Sequence, residues 1–356
     1  MKSAFAALPG VLVLACGFVL FAGGAPATSG GDRMPDIDGS APAAAQQAPP
    51  GAVAVPRIRP ATQRVEATPS TVEEAMAQMQ RKAREECRQW ADKAFAEFER
   101  STYKEPFEGG KYIVSGDIAI PGREQLREFF ETGIKQEAAE PAPGALIVHR
   151  VGGRDAIWDS AHRNRLTYCV SSEFGNRQPQ VVADMEAASG AWEAATDVDF
   201  VHVVTEDDDC TAANANVVFD VRPVNVNGQY LARAFFPNEQ RADRNVLIDE
   251  SAFQLDPKGA LQLVGILRHE LGHALGWRHE HTRPEAGTCF EDNDWRPLTD
   301  YDRFSVMHYP QCNGGGDWSL KLTDMDRNGA ACVYGAAPGF EVDPKICPNP
   351  PERSAG

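Results

Sequence analysis

The 356-residue chain has no block of basic residues, and its 35 Lys and Arg are outnumbered by 51 Asp and Glu, giving a formal net charge of −16. That deficit excludes the electrostatic footprint by which proteins hold nucleic acid or anionic membrane; it favours solubility without naming a substrate. No long apolar run follows the first two dozen residues, so no stable membrane span is expected. Internal repeats are missing too, which excludes a repeat architecture. Aromatics are scarce from Thr28 to about Pro69, where Ala, Pro, Gly and Gln dominate. Such a composition cannot offset the entropy of ordering, and 28–69 reads as a disordered linker.

Before that linker, Lys2 precedes an apolar stretch from Ala4 to Ala22, and Ala25 and Ala27 offer an A-x-A cleavage site. Residues 1–27 therefore read as a signal peptide of a secreted protein, with Pro9, Gly10 and Gly17 interrupting the run against a membrane anchor. Val13-Leu14-Ala15-Cys16 loosely resembles a lipoprotein signal, the alternative being a lipid anchor through Cys16, although Phe18–Phe21 stays apolar beyond it. Seven cysteines remain once Cys16 is removed, and six of them lie beyond residue 160. In an oxidising compartment they allow up to three disulfides in the C-terminal half, with Cys87 the odd one out.

A hydrophobic content of 42% suffices for a real core. From Thr71 to about Arg100, apolar residues including Met76, Met79, Ala83, Cys87, Trp90, Ala94 and Phe98 recur at helical spacing, predicting an amphipathic helix with Cys87 on its buried stripe. Lys111–Ile120 predicts a strand, Glu124–Gln136 a helix, and Glu140–Gly144 a Pro-rich joint. Beyond it, strands are expected at Arg165–Val170, Phe200–Val204, Asn216–Asp220, Leu231–Phe236 and Asn245–Ile248, with an amphipathic helix at Gln180–Ala195. Strand, helix, then four strands predict an α+β fold with a mixed twisted sheet.

The informative segment is Leu261–His281, LQLVGILRHELGHALGWRHEH. Leu263, Val264, Ile266 and Leu267 begin an apolar helix, and His273 follows His269 by four residues, so both imidazoles share one face and can reach one ion. Gly276 can take the left-handed conformation that ends the helix and brings His279 back as a third ligand. Three neutral nitrogens fit one Zn2+ with a position left open for water, and no cysteine lies in the segment to close a structural site. Glu270, beside the first ligand, is placed to take a proton from that water.

The H-E-x-x-H-x-x-G-x-x-H pattern, followed by Ser305-Val306-Met307-His308-Tyr309, resembles the metzincin zinc proteases. S-x-M-H-Y together with His279-Glu280-His281-Thr282-Arg283 narrows the resemblance to astacin-like members. It implies a zinc endopeptidase acting on protein or peptide substrates, with a mixed sheet and a long zinc-binding helix above a loop-rich lower subdomain. Met307 then forms the floor beneath the metal, Tyr309 is an additional ligand and a hydrogen-bond donor to the intermediate, and Glu280 receives the new N-terminus. Val114-Ser115-Gly116-Asp117-Ile118 is similar to the family's F-x-G-D propeptide segment, with Val114 in the aromatic position, and makes Asp117 the latent-state zinc ligand. The implied layout is a partly helical propeptide at 70–148, a protease domain at 149–336 beginning near Trp158, and a Pro-rich tail at 337–356. Maturation falls between about Pro141 and Asp155, with Arg150 and Arg154 as candidate points. Pro284-Glu285 and a short segment before the Met-turn fit looser bacterial relatives better than animal members.

Other signals are set aside. Asp324–Gly329 imitates an EF-hand opening, but its twelfth position is Gly335, and a closing helix Thr323–Tyr334 capped by Thr323 is preferred. Asp207–Asp209 reads as a solvated loop, and His149, His162, His202, His281 and His308 as surface or hydrogen-bonded packing. An idle scaffold used for adhesion or binding is the competing class; it would require loss of Glu270 or a ligand.

Overall fold

A computed structural model describes residues 92–135, 146–289 and 291–346. The signal peptide, the linker, Cys87 and most of the predicted 71–100 helix lie outside them. The chain divides after Ala94 into two units. Of the first, residues 92–94 are described, and they are helical. Everything below concerns the second, which begins at Phe95.

A helical stretch ends at residue 101 and is followed by strands β1 (Tyr103–Lys104), β2 (Tyr112–Val114) and β3 (Ile118–Ile120), an antiparallel sheet in that order. The expected single strand Lys111–Ile120 is thus a hairpin. Val114 pairs with Ile118, and the three residues between them turn because Ser115 and Gly116 have positive φ, 53° and 102°. Helix α1 (Arg123–Lys135) follows.

Next come β4 (Ile147–Val151) and β5 (Arg154–Asp155), a hairpin turning at Gly152–Gly153. The expected domain boundary at 148/149 therefore falls inside a strand. Arg150 pairs with Asp155 in this hairpin rather than lying in a loose joint. The main sheet comprises β6 (Leu166–Val170), β7 (Phe200–His202), β8 (Phe219–Val224), β9 (Ala232–Arg233) and β10 (Asn245–Asp249) in the order β7-β6-β8-β10-β9. Four strands run parallel and edge strand β9 is antiparallel to β10. The mixed sheet expected from the sequence is present.

Two of its strands are shifted or shortened. β8 starts at Phe219, not Asn216, because the Asn214 side chain caps the Asn216 N–H in a local turn. The Leu231–Phe236 run pairs only at Ala232–Arg233: the Ala234 N–H is directed to Glu270 and Pro237 has none to give.

Helices α2 (Gln178–Glu193) and α3 (Leu263–Ala274) pack on one face of the sheet. Val181, Met185, Ala188 and Trp192 of α2 meet Ile266, Leu267 and Leu271 of α3 in the same apolar core as Val246 and Ile248. The zinc-motif helix is 12 residues long, about three turns, since Gly276 (φ 97°) ends it. A Cβ at Gly276 would stand 2.3 Å from the Ala156 carbonyl oxygen. Gly276→Ala combines left-handed strain with that clash and is expected to cost about 2–3 kcal/mol of stability, read from denaturant unfolding; an unchanged midpoint would refute it.

Below α3 the chain is loop-rich: short 3-10 turns, strand β11 (Trp295–Pro297) paired with β4, and closing helix α4 (Asp324–Tyr334). Thr323 caps α4 as expected and forms a capping box with Asp326. Disulfides join Cys169 to Cys210 and Cys289 to Cys312, and Cys332 is disulfide-bonded as well. Among the described residues no helix is long and apolar enough to cross a membrane.

Candidate metal centre and active site

The helical spacing of His269 and His273 puts both imidazoles on the lower face of α3, and the chain reversal at Gly276 returns His279 to them. Nε2 of His279 lies 3.2 Å from Nε2 of both His269 and His273. All three rings are buried. Each Nδ1 is engaged by an acceptor: Val306 O at 2.7 Å for His269, Trp277 O at 2.7 Å for His273, and Glu291 Oε1 at 2.6 Å for His279. An Nδ1 facing an acceptor carries the proton, which leaves three Nε2 lone pairs converging on one point.

Asp117, at the tip of the β2–β3 hairpin, completes the cluster. Its Oδ1 is 3.1 Å from His279 Nε2 and its Oδ2 is 3.3 Å from His269 Nε2, and the four ligand atoms lie within 4.8 Å of one another. Asp117 Oδ1 and Glu270 Oε2 are buried without a hydrogen-bond partner. The three convergent nitrogens and the Asp117 carboxylate are a donor set that could hold a divalent cation, and the orphaned Glu270 oxygen lies outside that set. Burial pushes His279 down, yet the carboxylates of Asp117 and Glu291 outweigh it and raise the ring to about 10. A bound cation would take over the role of that proton. Burial, reinforced by the negative charge of Asp117, raises Glu270 well above the usual carboxylate range. That combination favours a carboxyl able to carry a proton.

The Ser305–Tyr309 turn packs against the histidine cluster. Asp326, inside the capping box of α4, accepts from Ser305 Oγ and from the Val306 N–H, and Ser305 Oγ in turn accepts from the Met307 N–H. That holds the Val306 carbonyl against His269. Met307 is fully buried, and its Sδ would stand 2.4 Å from a Cβ at Gly272. The glycine between the two helical histidines is there to admit the sulfur, a role the sequence reading missed.

Tyr309 packs its ring 4.6 Å from that of His279 and donates its hydroxyl to Asp117 Oδ2. Glu280 is buried, accepts from the Asp302 N–H at 3.1 Å and faces Arg283 at 3.4 Å. Of the histidines set aside, His162 is exposed beside Asp159, His149 is half-buried against Phe236, and Tyr301 meets His308. His281 Nε2 stands 3.4 Å from Glu291, so it belongs to the hydrogen-bonded surroundings of the centre. Asp207 is not solvated: it is buried, accepts from the Val170 N–H and pairs with His202.

Glu291 also escaped the sequence reading. It lies twelve residues beyond His279 with no spacing rule to flag it, and its other oxygen is fixed by Arg278 at 2.8 Å. The Cys289–Cys312 bond ties its loop to the segment after the Met-turn. Glu291→Gln is expected to weaken zinc affinity by about 10- to 100-fold in a chelator competition; an unaltered Kd would show that the carboxylate does not orient His279.

Comparison with known proteins falls on the same region. The family model described as Matrixin matches residues 158–286. High choriolytic enzyme 2 and High choriolytic enzyme 1 of Oryzias latipes are each 28% identical over 160 residues, 40% of this chain. The chain spans about half the length of these curated relatives, 48% and 50%. A solved structure, "Structure of myroilysin", aligns over 53% of this chain and 98% of that one at 17% identity and a TM-score of 0.38. The matched interval 158–286 contains His269, Glu270, His273, Gly276 and His279, and the architecture around them is a metzincin-like α+β fold.

Proposed function

We propose that the chain is a zinc metalloendopeptidase of the astacin-like kind, made as a latent precursor and acting outside the cell on protein or peptide substrates. The observation that carries this reading is the convergence of three proton-locked imidazoles on one point beside the orphaned Glu270 carboxylate. One zinc ion, held by His269, His273 and His279, would polarise a water and a substrate carbonyl. Glu270, held by the Ala234 N–H, takes the proton of the attacking water and returns it to the leaving amine. The Tyr309 hydroxyl, freed from Asp117, donates to the oxyanion. Beside the centre, His308, Pro310, Gly315 and Trp318 line a cavity of about 360 Å³ for a substrate side chain.

The S-x-M-H-Y and H-E-H-T-R wording supports the astacin-like subtype, and the apolar Ala4–Ala22 stretch supports export. Asp117 on the histidine cluster supports latency, because a carboxylate oxygen is a ligand zinc accepts. Two measurements test the reading together. The purified chain is expected to bind one zinc per molecule, and after removal of the pro-segment it should cleave casein until a chelator strips the ion. Stoichiometric zinc without proteolysis would leave only a binding scaffold.

A further inference from the structure

The segment that carries Asp117 is also held at two buried charged contacts away from the metal. Glu105, one residue beyond β1, is buried, and Arg233 of edge strand β9 is 1% exposed. The guanidinium grips the carboxylate bidentately, Nε to Oε1 at 2.7 Å and Nη2 to Oε2 at 2.9 Å. Tyr230 adds its hydroxyl to Oε1, and Asn245 Oδ1 takes the remaining side of the guanidinium from Nη1 at 2.6 Å. Six residues on, Lys111 is likewise 1% exposed. Its ammonium pairs with Glu239 and donates to the Asp243 carbonyl at 2.9 Å. Between these points Ile113 and Ala119 of the hairpin pack on Val226 and Tyr230.

The two contacts have opposite polarity, anion on cation and then cation on anion, and none of their groups is a metal ligand. A buried pair is expensive to break because the partner left behind is an uncompensated charge, and salt screens it little. Among the described residues, Glu105 is the carboxylate that accepts from Nε and Nη2 of Arg233. We infer that Arg233 with Tyr230, and Glu239 with Asp243, form a bipolar docking surface whose occupant is the 103–120 segment of this chain, and that this surface keeps the segment bound as a separate inhibitory fragment after the chain is cut. Cleavage between α1 and β4 then does not itself release activity; dissociation of the fragment does.

The inference rests on the latent-protease reading and is tested apart from it. A protease recognition sequence inserted after Ala139 lets the folded, zinc-loaded full-length chain be cut on demand, and retention of the N-terminal fragment is read by size-exclusion chromatography. In the otherwise unaltered chain the fragment is expected to co-elute and activity to stay silent. Glu105→Gln should speed its loss by at least about a hundredfold, Lys111→Met should act in the same direction, and Glu105→Arg with Arg233→Glu should restore retention. Should the variants fold poorly, a synthetic 99–120 peptide competing for the cut wild-type chain gives the same answer, the peptide carrying Glu105→Gln displacing the fragment at least tenfold less well. A wild-type fragment that leaves on cutting, or a Glu105→Gln fragment or peptide that binds like the unaltered one, overturns the docking surface. A fragment that leaves as described without any proteolysis appearing sustains the docking surface and sinks the protease reading instead.

Discussion

Glu270→Gln is expected to lower kcat/KM of the processed enzyme by about a thousandfold, the scale of a lost general base, while zinc content stays at one ion per chain. Glutamine fills the same volume and can still accept from the Ala234 N–H, so the ligand geometry of His269 and His273 should survive. What goes is the oxygen with no protein partner and the proton it can carry. Burial and Asp117 raise that carboxyl well above its ordinary range, and removal of the pro-segment takes the Asp117 contribution away. Side-by-side metal analysis and casein cleavage settle the point: a variant that keeps both zinc and rate would mean that another group moves the proton.

The second large effect concerns Asp117. In the uncut chain its carboxylate lies against His279 and His269 and holds the Tyr309 hydroxyl. Asp117→Ala removes the oxygen that occupies the open position and frees Tyr309 together, leaving the Glu105 and Lys111 contacts in place. If the chain is a latent precursor as proposed, the full-length variant should cleave a short quenched-fluorescence peptide at least about tenfold faster than the unaltered chain, because a carboxylate that would block the metal has been removed. The hairpin still covers part of the cleft, so activity below that of the processed enzyme is expected. An uncut variant as silent as wild type would place latency in the covering segment alone.

The placement of the residues at the centre was legible in the sequence because it is local. His269, Glu270, His273 and Gly276 lie within one helix and its stop, and the 3.6-residue period with a left-handed glycine is enough to say that two rings share a face and the chain turns back. Thr323 as a cap and the α+β order of elements were legible for the same reason. Asp117 was visible only through its neighbours in sequence; that it meets His279, 162 residues away, depends on a hairpin that was read as one strand, since the turn is made by the φ values of Ser115 and Gly116 and not by a Pro or Asn-Gly signal. Glu291 behind His279, Gly272 beneath Met307, Asp326 under the Met-turn and Arg233 opposite Glu105 carry no spacing signature. Each became part of the site when packing brought distant segments together, because a buried proton donor, sulfur or charge must find its complement wherever the fold presents one. The sequence by itself determined that two imidazoles and the Glu270 carboxyl share one helix and that the chain turns back after it at Gly276. Tertiary structure alone decided how those rings are oriented, what stands in front of them, and what holds it there.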